Sequence, residues 1–342
     1  VLILEKQRLP RYKTCGGAVP ASALELLPFD LSPLIETRVH HICYSLDGRE
    51  DVVHSFPQPG IAMFMRDRLD AFLVAQAKAE LRDVVAITGV SEDATGVTVT
   101  TTNGEAVRGR YLVGADGASS AVAHSLGLRR RPMLAGAIEA EVTVPDSLLS
   151  QFKETVRIRL GCLPYGYTWI FPKSDHLSIG AGCLRRGPMD LKRALQHELA
   201  TLGLNTQDAV VRGHPIPVYW RPERLHGQRT VLVGDAAGLA DGLIGEGIRY
   251  ALRSGRLAAQ AILADNIAGY SQAVHRDLGL HLTWARRCGW WLYHLAEVCF
   301  SLAVPNPRLT RLLSEVLTGQ RTYRYMFFWF PALVLEWIIR NV

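Results

Sequence analysis

Residues 231–252, VLVGDAAGLADGLIGEGIRYAL, constrain the fold more than any other stretch. A hydrophobic strand, Val231-Leu232-Val233, ends in Gly234-Asp235, a tight turn that presents a carboxylate. Ten residues on, Gly245-Glu246-Gly247 opens a small-residue helix that starts at Ile248. Backbone N–H groups at a helix start, with no Cβ in the way, suit an electron-rich ring edge or a phosphate. Asp235 is placed to accept hydrogen bonds from sugar-type hydroxyls. The pattern recurs in RYLVGADGASSAVAHSLGL (110–128), where a strand runs into Gly114-Ala115-Asp116-Gly117 and then a helix with Ser119 and Ser120 near its start. Alone, that second turn reads as an ordinary capped helix, with Asp or Ser as the cap. Two such units in one chain point to an α/β nucleotide-binding sheet.

The opening residues VLILEK fit the same sheet. Val1-Leu2-Ile3-Leu4 reads as a buried parallel strand without alternation. Glu5 then stands where the second strand of a βαβ unit delivers its ribose acceptor, with Lys6 beside it. The first strand, its GxGxxG turn and its helix are absent from the sequence, as expected of a chain lacking roughly 30 residues of a βα unit. That leaves a parallel strand without its partner. MRDRLDAFLVAQAKAE (65–80) is read as an amphipathic helix, and 83–117 as a run of strands with a hairpin turn at Asn103-Gly104. Between 133 and 220 the strands LAGAIEAEVTV, TVRIRLGC, GYTWIFPK and HLSIGAGC form a second, mostly antiparallel layer, followed by the helix DLKRALQHELATLG. Residues 271–304 and 307–340 are expected to be mainly helical. The expected division is a discontinuous nucleotide-binding domain (1–130 and 225–265), a substrate domain (131–224) and a helical C-terminal region (266–342).

With 48% hydrophobic and 20% charged residues among 342, the chain is an ordinary globular one. Its net charge of +6 is concentrated at the end. Residues 284–342 hold seven arginines against three glutamates, interleaved with CGWWLYHLAEVCFSLAV and YMFFWFPALVLEWII. Neither stretch supplies the roughly 20 apolar residues of a spanning helix, while aromatics beside arginine suit an interface. No nucleic-acid motif accompanies the basic region, so a membrane surface or a diphosphate substrate is the expected partner, and not nucleic acid. The six cysteines are scattered without CxxC or metal-ligand spacing. A reducing, cytoplasmic setting is expected, peripheral to a membrane, with no metal.

The order of Glu5, Arg66 in MFMRDRLDAFL, GADG and GDAAGLADGLIGEG resembles the FAD-dependent oxidoreductases of the para-hydroxybenzoate hydroxylase type. KTCGGAVP (13–20) and YTWIFPK (167–173) narrow the resemblance to the geranylgeranyl reductase family, whose members carry a CGG loop and a Y-x-W-x-F-P-K motif. The resemblance implies a GR2-type, Rossmann-like FAD-binding domain interleaved with an antiparallel-sheet substrate domain. It implies that Glu5 and Lys6 lie at the adenosine ribose, and that Arg66, Asp116 and Gly117 lie near the cofactor. Gly234 and Asp235 would hold the ribityl or pyrophosphate region; Gly245, Glu246, Gly247 and Ile248 would line the isoalloxazine. Cys15, Gly16 and Gly17 would face the flavin from the substrate side, Cys15 being a candidate proton donor alongside a water. Tyr167, Trp169 and Phe171 would line an isoprenoid pocket, with Pro172 and Lys173 shaping its rim. Ala123 stands where the family often has arginine after the GADG turn.

The activity implied is saturation of C=C bonds in a geranylgeranyl or related chain, carried by a prenyl diphosphate or prenylated lipid, with NADPH or ferredoxin as electron donor. Two other readings stand beside it. One is a flavin-dependent monooxygenase on an aromatic or other hydrophobic substrate. The other is an inactive fragment without FAD.

Overall fold

The computed structural model describes residues 1–46, 49–129, 132–185, 190–303 and 306–341. The parallel sheet forms as two separate ladders. Leu2–Leu4 pairs with Glu80–Arg82, and Leu112–Gly114 pairs with Thr230–Leu232. The opening strand therefore does have a partner, and its three residues are half-buried rather than buried. That partner lies where a helix was expected to continue. The helix covers Arg66–Gln76 and stops short of residue 80, because the chain turns through Lys78 at φ +46° into the Glu80–Arg82 strand. Only Leu69 of this helix is buried, so its amphipathic character is weaker than its sequence suggests.

The second layer is a seven-stranded sheet. Its order is Val210–Val218, Met133–Thr143, His176–Cys183, Gly166–Pro172, Thr155–Leu160, His41–Leu46 and Val52–Ser55. All neighbours are antiparallel except Thr155–Leu160 beside His41–Leu46. Two of its strands come from upstream of residue 131. Alternation along Gly166–Pro172 decides what each face sees. Thr168 and Ile170 point to the face covered by helix Leu191–Thr201, where Ile170, Leu177, Ile179, Leu195 and Leu199 form a buried cluster. Asp190 starts that helix by accepting from Arg193 N–H.

Tyr167, Trp169 and Phe171 point the other way, toward the nucleotide-binding side. That side is closed by the C-terminal helices Leu280–His294, Pro307–Leu317 and Tyr323–Asn341, whose Ala285, Leu312, Val316 and Tyr323 join Ile42, Tyr44 and Val156 of the sheet in one core. Among the described residues no helix is long and apolar enough to cross a membrane. The site lies where these layers meet.

Candidate functional site

A cleft of about 330 Å³ opens between the two layers. Of the residues singled out in the sequence, Cys15, Gly16, Gly17, Arg66 and Gly117 line it. So do Tyr167, Trp169 and Phe171, and Gly234, Asp235, Gly245, Glu246, Gly247 and Ile248. Glu5, Lys6 and Asp116 do not.

The CGG loop divides the cleft. Gly17 has φ +71°, and a Cβ there would lie 2.0 Å from the Phe64 carbonyl oxygen, so no other residue fits. A Cβ on Gly16 would meet the Phe171 ring at 2.8 Å, which places the loop directly on the aromatic strand. Lys173 pins it: the buried ammonium donates to Gly16 O at 2.7 Å and Phe64 O at 3.1 Å. Burial holds the Lys173 pKa below the usual lysine range.

The aromatic ladder depends on small residues opposite. Trp169 pairs with Gly180, and a Cβ at 180 would approach its ring to 2.1 Å, so glycine lets the indole lie flat on the sheet. Its centroid is 5.9 Å from Phe171 and 6.0 Å from Tyr167, and the Tyr167 hydroxyl donates to Ile244 O. Ile42, Val156, Ile158 and Leu317 complete an apolar end.

The opposite end is charged. Asp235 carries a carboxylate with no hydrogen bond among the described residues, and a Cβ on Gly247 would sit 3.3 Å from its Oδ1. Lys13 and Arg66 share its field. The Lys13 pKa is lowered by burial and then by Arg66, while Asp235 and Cys15 oppose the shift. Burial works against Arg66 too, but the Cys15 side chain and Asp70 hold its guanidinium more firmly protonated than usual. His214, also in the lining, is lowered by burial and by Lys13. Asp70 bonds Arg66 at 2.9 and 3.1 Å, and Arg11 bridges Asp70 at 3.0 Å to Glu5 at 3.3 Å. Glu5 thus reaches the site only through a chain of ion pairs, and Lys6 is exposed.

Asp116 is spent on its own helix, accepting from Ser120 Oγ at 2.5 Å and Val122 N–H at 3.1 Å. Glu246 likewise accepts from Arg249 N–H at 2.7 Å and Nε at 3.1 Å, and burial raises its pKa.

Four residues escaped sequence reasoning. Lys13 supplies a cation from inside the KTCGG stretch. Buried Asp241 organises GLIGEG by accepting from Leu243 and Ile244 N–H at 2.6 and 3.1 Å and from the Tyr250 hydroxyl at 3.2 Å. Arg129 donates to Asp235 O and Ala236 O at 2.6 and 2.7 Å, bracing the Gly-Asp turn from behind. Glu139 lines the cleft beside Cys15. Asp241 and Lys13 lay within quoted motifs; Arg129 and Glu139 carried no local signal.

A family model described as an FAD binding domain matches residues 29–159. The chloroplastic geranylgeranyl diphosphate reductase of Oryza sativa subsp. japonica is 31% identical over 323 residues, which cover 86% of this chain and 68% of that one. Menaquinone reductase of Mycobacterium tuberculosis is 30% identical over 324 residues, covering 84% and 79%. A solved structure described as geranylgeranyl bacteriochlorophyll reductase-like, from Thermoplasma acidophilum, matches at TM-score 0.75 and 19% identity over 95% of this chain and 91% of that one, a likeness of fold. The residues present fit FAD. An unpaired carboxylate suits its hydroxyls, the neighbouring cations suit its phosphates, and bare glycine backbone gives its ring close approach.

Proposed function

The chain belongs to the geranylgeranyl reductase family of FAD-dependent oxidoreductases, and from that membership we propose that it saturates carbon–carbon double bonds of an isoprenoid chain. The observation that carries this reading is a single cleft with a charged end and an apolar, aromatic end that meet at the CGG loop. Reduced FAD, when bound, supplies a hydride.

Everything else falls to the protein. Asp235, Lys13 and Arg66 hold and orient the polar part of the cofactor. Gly16 and Gly17 leave no side chain between the two ends of the cleft. Tyr167, Trp169 and Phe171 with the aliphatic wall exclude water, and their π faces favour positive charge developing on the alkene. That charge matters, because an isolated double bond has no carbonyl to stabilise an incoming hydride and needs a proton delivered to its other carbon. The names of the two relatives supply the substrate class: a prenyl diphosphate or a prenylated quinone.

Attachment to a membrane surface, where such chains reside, is part of the same reading. Trp290, Trp291 and Trp329 are each 50% exposed, and Arg287 and Arg321 stack on neighbouring Trp284 and Tyr325. Co-sedimentation with anionic vesicles, reduced when the three tryptophans become serine, is the expected result.

The activity test uses the FAD-loaded chain, reduced anaerobically and given geranylgeranyl diphosphate or a menaquinone, with mass spectrometry of the lipid. A gain of two hydrogens per double bond is expected. Unchanged lipids in both cases would remove the reductase reading.

A further inference from the structure

The proposed function, on which this inference rests, assigns no proton donor, and the side chain of Cys15, the candidate from the sequence, is engaged by Arg66. Glu139 sits in strand Met133–Thr143, opposite Gly180 on one side and Arg212 on the other, and Gly180 in turn faces Trp169. It lines the cleft and is 1% exposed. Its Oε1 accepts from Cys15 N–H at 2.6 Å and from the Tyr12 hydroxyl at 2.8 Å. Its Oε2 is buried and has no hydrogen-bond partner among the described residues, and neither has Trp169 Nε1 in the same row.

Anchoring the CGG loop accounts for Oε1 alone, and an amide would anchor it equally well. A buried, unsatisfied oxygen is costly. What a carboxyl adds is a removable proton in an apolar cleft.

We propose that Glu139 is the acid that protonates the isoprenoid double bond and that Tyr12 returns the proton to it. In the step, the carboxyl O–H bond breaks and the alkene π pair forms a C–H bond at one carbon. The other carbon takes the hydride supplied by reduced flavin, and Glu139 is left as carboxylate. Half-buried Tyr12, bonded to Oε1, relays a proton back from solvent.

The surroundings keep the carboxyl protonated. Burial pushes its pKa up to about 7, Glu141 on the same strand adds to this, and Tyr12, the Cys15 N–H and Lys173 oppose it. The Lys173 ammonium is engaged by Gly16 O and Phe64 O. Arg212 faces Tyr12 instead, 4.1 Å from its ring centroid.

Glu139→Gln tests this, since the amide oxygen still receives Tyr12 and Cys15 while the removable proton is gone. In single turnovers of the reduced, FAD-loaded chain with geranylgeranyl diphosphate, the variant should be about 100-fold slower. Its flavin affinity should equal that of the unmodified protein. The unmodified rate should fall as pH rises through about 7, and the variant's should not. Tyr12→Phe removes a donor to the carboxylate, so that limb should move to higher pH.

Infrared difference spectra provide a readout apart from turnover. A protonated-carboxyl C=O band should vanish as pH passes about 7 and be missing from Glu139→Gln. If the active, unmodified protein shows no such band, or if its Glu139→Gln variant keeps the full rate, the acid role is overturned and the reductase reading stands. A protein that reduces no isoprenoid overturns the reading and this inference together.

Discussion

The two Gly-Asp turns look alike in sequence and share one parallel ladder, yet their carboxylates do opposite things. Leu112–Gly114 and Thr230–Leu232 pair residue for residue, and each strand runs on toward a Gly-Asp turn and a helix. After the first, helix Ala121–Ser125 begins five residues beyond Asp116, so Asp116 reaches Ser120 Oγ and Val122 N–H and both its oxygens are engaged. After the second, the chain inserts Gly238 to Gly247 before helix Ile248–Leu263. Asp235 therefore never caps a helix and faces the cleft unpaired. The spacing between carboxylate and helix start decides whether the charge serves the fold or remains available to a ligand. Glu139 lies between these cases, with one oxygen bonded and one not.

The largest effect should come from removing what braces the second turn. Arg129→Met removes two hydrogen bonds from a charged donor, leaving Ala236 O unpaired while Asp235 O keeps Gly238 N–H at 3.0 Å, and should cost about 4 kcal/mol of unfolding free energy, read from urea denaturation. An unchanged midpoint would mean that the turn needs no brace.

Next is the pH dependence of Glu139. Its pKa is raised in the folded state, so the folded protein keeps a proton that the unfolded chain loses. Stability should then fall as pH rises from about 4.5 to about 7 and level off above, by at most about 3 kcal/mol. Thermal unfolding of Glu139→Gln should lack that slope.

Asp235→Ala should weaken flavin binding by about 10- to 100-fold, the worth of a hydrogen bond to a charged group, with stability nearly unchanged. Asp116→Ala should lower stability by about 1 kcal/mol, as a lost helix cap does, and leave flavin affinity intact. Fluorescence titration and calorimetry on both variants would settle it: matching profiles would erase the distinction between the turns. The smallest effect belongs to Ser254→Ala, which leaves the buried Gly234 N–H without its acceptor at 2.9 Å and should cost about 1 kcal/mol, read from urea denaturation.

The local chemistry of this chain was legible one residue at a time. A two-residue period alone puts Tyr167, Trp169 and Phe171 on one face, and the structure sets their rings side by side. Gly17 in the CGG loop and Gly245 in GLIGEG both adopt positive φ, which side chains resist. The family, the α/β class and the antiparallel layer follow from such patterns.

Tertiary structure alone decided which charged groups converge. Nothing in LAGAIEAEVTV singles out Glu139, whose partners Tyr12 and Cys15 are 127 and 124 positions away. Arg129 reaches its turn across 106 positions, and helix 66–76 ends where a strand pairing outweighs helical propensity. Periodicity and backbone sterics act over a few residues and are written locally. A carboxyl's burial and its free oxygen depend on sheet register and on loops brought from afar, which no short stretch encodes.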